Sequence, residues 1–153
     1  MAGAHNNVLP RTARLERWRV RCRLALAGFY GLAGVLHLAV PEPFLGITPS
    51  WVPEPEAVIA LTGVSEIAGA IGLLVPAVRG YAAVGLALYA VGVFPANIKH
   101  AFDALGAATV SPWQWLYHGL RLPLQPLLAW LPLFAAGLVW KAERGKAPPR
   151  KLP

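Results

Sequence analysis

Four long apolar segments constrain this chain of 153 residues more than any other feature of its sequence. They cover residues 22–40, 56–75, 79–98 and 120–140. A helix needs about 20 apolar residues to cross the hydrocarbon core of a bilayer, and each segment has about that length. A helix also satisfies its own backbone hydrogen bonds, which lipid cannot do. The pattern therefore predicts an all-α integral membrane protein, a bundle of four transmembrane helices.

Composition excludes the soluble alternative. Hydrophobic residues make up 56% of the chain and charged residues only 14%, whereas an ordinary soluble domain has about 25% charged residues. A soluble bundle with so few charges cannot cover its surface with polar groups. The single cysteine, Cys22, excludes an intramolecular disulfide, a CxxC redox pair and a cysteine metal cluster. We expect Cys22 to be a small apolar filler, and we predict no metal site and no identifiable resident cofactor.

The basic residues predict the orientation. Twelve of the fourteen Lys and Arg residues lie near the amino terminus (six), in the short loop at Arg79 (one) and in the carboxyl-terminal tail (five). By the positive-inside rule, the tails at residues 1–21 and 141–153 are cytoplasmic, and the bundle covers residues 22–140. The tails are expected to contact anionic lipid headgroups. They carry no nucleic-acid recognition motif, so nucleic acid is not an expected partner.

The arginine-rich start followed by an apolar run also resembles a signal peptide. Three further spans follow it and no small-x-small cleavage site does, so we expect the first segment to stay in the protein. The chain is therefore expected to cross the membrane several times.

Polar residues inside the segments mark the candidate site, because ionisable groups in a membrane are costly and suggest function by default. Glu66 lies ten residues into the second segment, roughly 15 Å deep and near the midplane. The other candidates lie toward the outer ends of the remaining segments. They are His37 on the first segment, Asn97, Lys99 and His100 on the third, and Arg121 and Gln125 on the fourth.

Side-chain direction predicts that this set comes together. Helical side chains lean toward the amino terminus of their helix, so Glu66 leans outward while His37, Asn97 and Lys99 lean inward. We expect these residues to converge in one cavity, with Arg121 leaning outward to guard its mouth. Glu66, protonated at rest, and His37 are the candidate catalytic pair for proton handling. The other five polar residues are candidate ligand-binding groups.

The same residues also have structural interpretations. A neutral Glu66 can lock the bundle through hydrogen bonds, and His37 can be an interface histidine at a helix end. Lys99 and Arg121 can extend along the helix to reach the headgroups. The glycines at 28, 31 and 34, and those around Glu66, are interpreted as packing positions that let helices approach closely.

The two predicted outer loops carry their own patterns. The first, at residues 41–55, is rich in proline and amphipathic, and we expect it to lie over the bundle. In the second, at residues 99–119, Ser111 before a proline is a typical helix start, and Gly119 is a typical stop. We expect the loop's aromatic residues to lie at the membrane interface and His118 to be a surface residue.

Several motifs resemble the DoxX family of bacterial membrane proteins, over roughly residues 28 to 130. They are His37 with Pro41 and Phe44, Pro49 with Trp51, TGVSEIAGAIGLL around Glu66, VFPANI at Asn97, and RLPLQ at Arg121. The resemblance implies a four-helix protein of the bacterial cytoplasmic (inner) membrane, within the wider DoxX and DoxD group. The founding members of that group are small subunits of quinone-linked sulfur or terminal oxidases.

Three functions are compatible with these features. The first is a quinone-linked or redox-linked membrane subunit or anchor beside an oxidoreductase partner, in which the polar residues hold a quinone headgroup. The second is a module that binds or transports a small apolar or weakly acidic molecule. The third is a non-catalytic assembly factor. Haem ligation by His37 and His100 is a further alternative, but no haem motif supports it.

Overall fold

A computed structural model describes residues 11–140, and within that range every regular element is a helix. The six helices are α1 (Arg11–Ala39), α2 (Glu42–Ile47), α3 (Pro55–Leu74), α4 (Arg79–Gly92), α5 (Phe94–Leu105) and α6 (Pro112–Ala136). Three helical stretches are long and apolar enough to cross a membrane: α1, α3, and α4 with α5 as one stretch. The all-helical prediction and the membrane-helix prediction are confirmed to this extent. The predicted segment 120–140 overlaps α6, which is not among these three.

Prolines set most of the helix boundaries, because proline lacks an amide donor and fixes its own backbone angle. α1 ends two residues before Pro41, and α3 ends two residues before Pro76. α3 begins with Pro55 in its first turn, where the missing donor costs nothing. Pro95 explains why the third apolar segment is divided at Val93 into α4 and α5.

α6 shows one prediction confirmed and one wrong. Ser111 caps the helix as expected, since its side chain accepts from the Gln114 amide while the Gln114 side chain accepts from the Ser111 amide. Gly119 does not stop the helix, which continues to Ala136. A single glycine weakens a helix by only about 1 kcal/mol. The helix instead ends at Gly137, which adopts the left-handed conformation that glycine tolerates.

The ends of the chain differ in extent from the predicted tails. α1 begins at Arg11, so half of the predicted amino-terminal tail at residues 1–21 is helical. The predicted carboxyl-terminal tail at residues 141–153 lies outside the described residues. His5, which the sequence suggests is a surface residue, also lies outside them.

α1 packs along α3 and also against α6, while α4 packs between α3 and α6. The core is made of residues from these four helices, and Cys22 packs against it as expected for a small filler. The core residues are Leu26, Tyr30, Ala70, Leu73, Ala83, Leu86 and Ala135. Many large apolar side chains face outward, among them Leu32, Leu61 and Leu88 at 63%, 65% and 67% exposed. So much exposed apolar surface is typical of a protein in contact with lipid.

The closest approach between helices occurs where α1 crosses α3. A Cβ atom built on Gly34 would lie 2.6 Å from the carbonyl oxygen of Gly63, and one on Gly63 would lie 2.9 Å from that of Gly34. Gly28 lies six residues earlier on α1, and a Cβ built on it would have no atom within 4 Å. Of the glycine stripe on α1, Gly34 is therefore the position where a side chain cannot fit. His37 and Glu66 lie on either side of this crossing: a Cβ on Gly63 would be 3.0 Å from His37 Cβ, and one on Gly34 would be 3.1 Å from Glu66 Cβ.

Arginines tie the start of α1 to the end of α6. The Arg23 guanidinium is buried and donates to the Ala135 carbonyl at 2.8 Å and to Glu16 Oε1 at 2.8 Å. Arg19 donates to the Trp140 carbonyl at 2.8 Å. The last carbonyls of a helix have no partner within the helix, so Arg23 serves as a cap for α6 supplied by another helix, while Arg19 holds the segment that follows α6.

Candidate functional site

A cavity of about 510 Å³ lies at the end of the molecule that holds α2 and the segment at residues 48–52. All six helices contribute to its walls, which are mainly aliphatic and aromatic. The aromatic residues are Phe29, Tyr30, Phe44, Trp51, Tyr89, Trp113 and Tyr117. Its size falls in the range of about 300–1,000 Å³ that is usual for small-molecule sites.

Glu66 is the centre of the first polar cluster in this cavity. It is 4% exposed, and each carboxyl oxygen has one polar neighbour. The Tyr89 hydroxyl donates to Oε1 at 2.7 Å, and Nδ1 of His37 lies 2.9 Å from Oε2. The cluster therefore joins α1, α3 and α4 through one carboxyl group.

The surroundings of His37 define its tautomer. Nδ1 lies 2.9 Å from the Ala33 carbonyl oxygen as well as 2.9 Å from Glu66 Oε2. A carbonyl oxygen can only accept a hydrogen bond, so Nδ1 must carry a proton, which it donates to the Ala33 carbonyl. The imidazole ring stacks on Phe44 of α2, with ring centroids 3.8 Å apart. This stacking connects the carboxyl cluster to the helix that lies over the cavity.

Gln125 and Asn97 form the second polar cluster, and both are buried. Asn97 Nδ2 donates to Gln125 Oε1 at 2.8 Å, and Gln125 Nε2 donates to the Ala90 carbonyl. Arg121 donates to Asn97 Oδ1 at 2.6 Å. Asn97 lies in the first turn of α5, just after the break at Val93 and Pro95. The cluster joins α4, α5 and α6.

Arg121 also contacts His100 outside the cavity wall. The guanidinium NH1 donates to His100 Nδ1 at 2.6 Å. Because the guanidinium has only donors, Nδ1 must be unprotonated, which places the His100 proton on Nε2. The His118 ring lies edge-on to His100, with centroids 4.7 Å apart. The prediction that His118 is a surface residue is wrong, since it is 2% exposed beneath these side chains.

Lys99 does not join the cavity. Its ammonium group forms an ion pair with Asp103, one turn farther along α5, and its side chain is 34% exposed. The prediction that Lys99 converges on Glu66 is therefore wrong. The physical reason is local, because an acidic partner at i+4 on the same helix face draws the lysine away from the cavity.

The remaining predicted site residues come together as follows. His37, Glu66 and Asn97 share one cavity, as their leaning directions predict, and Gln125 lines it too. Arg121 lines the cavity but turns inward to Asn97 instead of only guarding the mouth. His100 contacts the site through Arg121 and does not line the cavity.

Tyr89 is the site residue that sequence reasoning missed. Its hydroxyl is the closest donor to Glu66, yet tyrosine in an apolar segment is usually assigned to packing. Its depth in the membrane is the signal that could have identified it. α4 begins at Arg79, and Tyr89 lies ten residues later, so the Tyr89 hydroxyl lies near the predicted depth of Glu66.

The arrangement can hold an apolar molecule that has a polar head. The cavity wall offers a carboxyl group beside a tyrosine and a histidine, and also two amides and a guanidinium. The rest of the wall is mainly aliphatic and aromatic. Within residues 11–140, no group of three or more His, Cys, Asp or Glu residues is placed to hold a metal ion.

Comparison with known proteins identifies the family of this chain but not a function for it. Neither a curated protein nor a solved structure matches it. One family model matches residues 26–135, which run from within α1 to within α6 and include every residue of both polar clusters. The chain therefore belongs to the family described as "Domain of unknown function (DUF8561)".

Proposed function

We propose that this protein is a multi-pass protein of the bacterial cytoplasmic membrane, a four-helix bundle of α1, α3, α4 with α5, and α6. Both chain ends face the cytoplasm, where the basic tails contact anionic headgroups. The one-sided distribution of Lys and Arg supports this orientation. The motifs around His37, Glu66 and Asn97 support a further proposal, that the family belongs to the wider DoxX group.

Within the membrane, the cavity binds a quinone-class molecule, and the protein acts as a redox-linked subunit or anchor for an oxidoreductase partner. The observation that carries this proposal is a cavity of about 510 Å³ whose apolar walls include the two polar clusters, one around Glu66 and one around Asn97 and Gln125. A quinone has an apolar ring and tail, and its two carbonyl oxygens accept hydrogen bonds from opposite sides. The N–H groups of Arg121 and Asn97 suit such acceptors.

Glu66 handles the proton in this proposal. It is buried, it accepts from Tyr89, and it lies within hydrogen-bond distance of His37. No basic residue on α3 pairs with it. A carboxyl group in an apolar site favours its neutral form, because a charge there is poorly solvated. Binding or reduction of a quinone changes the acceptors around the carboxyl and so changes its protonation.

The experiment is titration calorimetry of the purified protein in nanodiscs with a decyl-chain ubiquinone analogue. Quenching of tryptophan fluorescence gives a second measure, because Trp51 and Trp113 line the cavity. Repeating the calorimetry in buffers of different ionisation enthalpy counts the protons exchanged on binding. We expect saturable binding accompanied by proton exchange.

Glu66→Gln isolates the proton-handling role, since glutamine keeps the shape and hydrogen bonding of the neutral carboxyl. We expect this variant to bind the analogue but to lose the proton exchange. Glu56→Gln is the matched control, because Glu56 is exposed in the first turn of the same helix. Absence of binding in the wild type would refute the proposed function and favour the assembly-factor alternative. Unchanged proton exchange in Glu66→Gln would leave Glu66 a packing residue.

A further inference from the structure

Arg121 is the charged group in the cavity wall whose charge is not balanced nearby. Within residues 11–140, no carboxylate oxygen lies within 4.0 Å of its guanidinium. Its hydrogen-bonding neighbours are the neutral Asn97 amide and the unprotonated Nδ1 of His100. The Tyr117 ring lies 5.6 Å from it and offers only a weak attraction for a cation.

The other carboxyl group of the cavity does not balance this charge. Glu66 forms no ion pair with Arg121; its Oε1 accepts from the Tyr89 hydroxyl and its Oε2 lies 2.9 Å from Nδ1 of His37. The acid on α5, Asp103, is paired with Lys99 and lies 60% exposed outside the cavity. An unbalanced cation beside apolar walls is costly. A bound anion would offset that cost and would use guanidinium N–H groups that have no acceptor in the described structure.

We propose that the cavity selects an acidic amphiphile, an apolar molecule whose head carries one ionised oxygen that binds Arg121. This inference rests on the proposed function and specifies its ligand class, namely quinones bearing an ionisable hydroxyl on the ring. The ionised oxygen accepts from Arg121, and the ring lies against the apolar and aromatic walls of the cavity. Asn97 and His100 hold the guanidinium at the cavity wall from the sides that face α5.

A matched pair of probes tests this directly. The acidic probe is 2-hydroxy-3-methyl-1,4-naphthoquinone, which is ionised at neutral pH, and the neutral probe is its 2-methoxy ether. In each probe the quinone ring carries a substituent at both C2 and C3, so neither probe reacts readily with the thiol of Cys22. Dissociation constants are measured by calorimetry on the full chain in nanodiscs at pH 7.5. We expect the acidic probe to bind about tenfold more tightly or better, because hydrogen bonds to charged groups are the stronger kind.

The variants assign the preference to one residue. Arg121→Gln is expected to bind both probes with dissociation constants within about threefold of each other, so that the preference for the acidic probe is lost. Arg121→Lys keeps the charge and is expected to retain most of the preference. Arg21→Gln removes an exposed arginine of α1 that does not line the cavity, and it is the control for net charge, with no expected change.

The outcomes separate this inference from the proposed function. Equal binding of both probes by the wild type would overturn the inference and leave the quinone-binding proposal standing. Binding of neither probe would overturn both. A preference that survives in Arg121→Gln would overturn the assignment to Arg121. The comparison within the wild type decides the main point even if Arg121→Gln does not fold.

Discussion

Replacing Gly34 with alanine tests whether the close approach of α1 to α3 holds the carboxyl cluster together. The new Cβ would lie 2.6 Å from the Gly63 carbonyl oxygen and 2.7 Å from Ile67 Cγ1. An unstrained contact of carbon with a carbonyl oxygen is about 3.3 Å or longer, so the helices must separate by roughly 0.7 Å at this point. The backbone of Gly63 and the branched side chain of Ile67 leave little room for a local adjustment.

That separation has two measurable effects. The distance from His37 Nδ1 to Glu66 Oε2, now 2.9 Å, would grow to roughly 3.6 Å, which is too long for a hydrogen bond. Overpacking of this kind lowers the free energy of unfolding by about 1–3 kcal/mol. We therefore expect Gly34→Ala to be less stable and to exchange fewer protons when it binds the ubiquinone analogue.

The assay is unfolding by SDS titration in bicelles, followed by the calorimetry described for Glu66. Gly28→Ala is the matched control, because it makes the same change on the same helix where no atom lies within 4 Å of the new Cβ. We expect Gly28→Ala to match the wild type within about 1 kcal/mol, the difference in helix propensity between glycine and alanine. Equal stability of Gly34→Ala and Gly28→Ala would refute the argument that this crossing is limited by contact.

Three further predictions concern the rest of the bundle. Arg23→Met should lower the free energy of unfolding by about 1–3 kcal/mol, because it leaves the last turn of α6 without its donor, while Arg21→Met at an exposed position should have little effect; SDS titration of both variants measures this. Gln125→Leu leaves the Asn97 amide and a backbone carbonyl unpaired, and should lower stability by a similar amount, about 1–3 kcal/mol, and weaken quinone binding in calorimetry. Reporter fusions after residue 78 and at the carboxyl terminus should both give cytoplasmic signals, and an external signal at either point would contradict the proposed orientation.

The parts of the site that could be predicted depend on rules that act along one helix. The depth of Glu66 follows from counting residues, and the inward direction of His37 and Asn97 follows from the tilt of helical side chains. The same rules place α3 almost to the residue, since Pro55 and Pro76 mark both boundaries. In each case the decisive interaction lies within the segment itself or within one turn of it.

The errors arise where a competing partner decides the position. The side chain of Lys99 is predicted to lean inward like that of Asn97, but it forms an ion pair with Asp103 instead. The sequence predicts a surface position for His118, whereas the rings of His100 and Tyr117 pack edge-on against it and it is buried. Tyr89 was missed because its role depends on a residue 23 positions earlier in the chain. Such choices between partners require three-dimensional neighbours that periodicity does not specify.

The contact between Arg23 and the end of α6 has a consequence for the order of biosynthesis. Arg23 leaves the ribosome 112 residues before Ala135, the residue whose carbonyl it caps. Its other partner, Glu16, belongs to the same helix and is available at once. α1 therefore enters the membrane with one partner for this guanidinium and waits for α6 to supply the second. In a nascent chain released before α6 is complete, Arg23 has no carbonyl of α6 to donate to. The hydrogen bonding of this one side chain therefore differs between the unfinished and the finished protein.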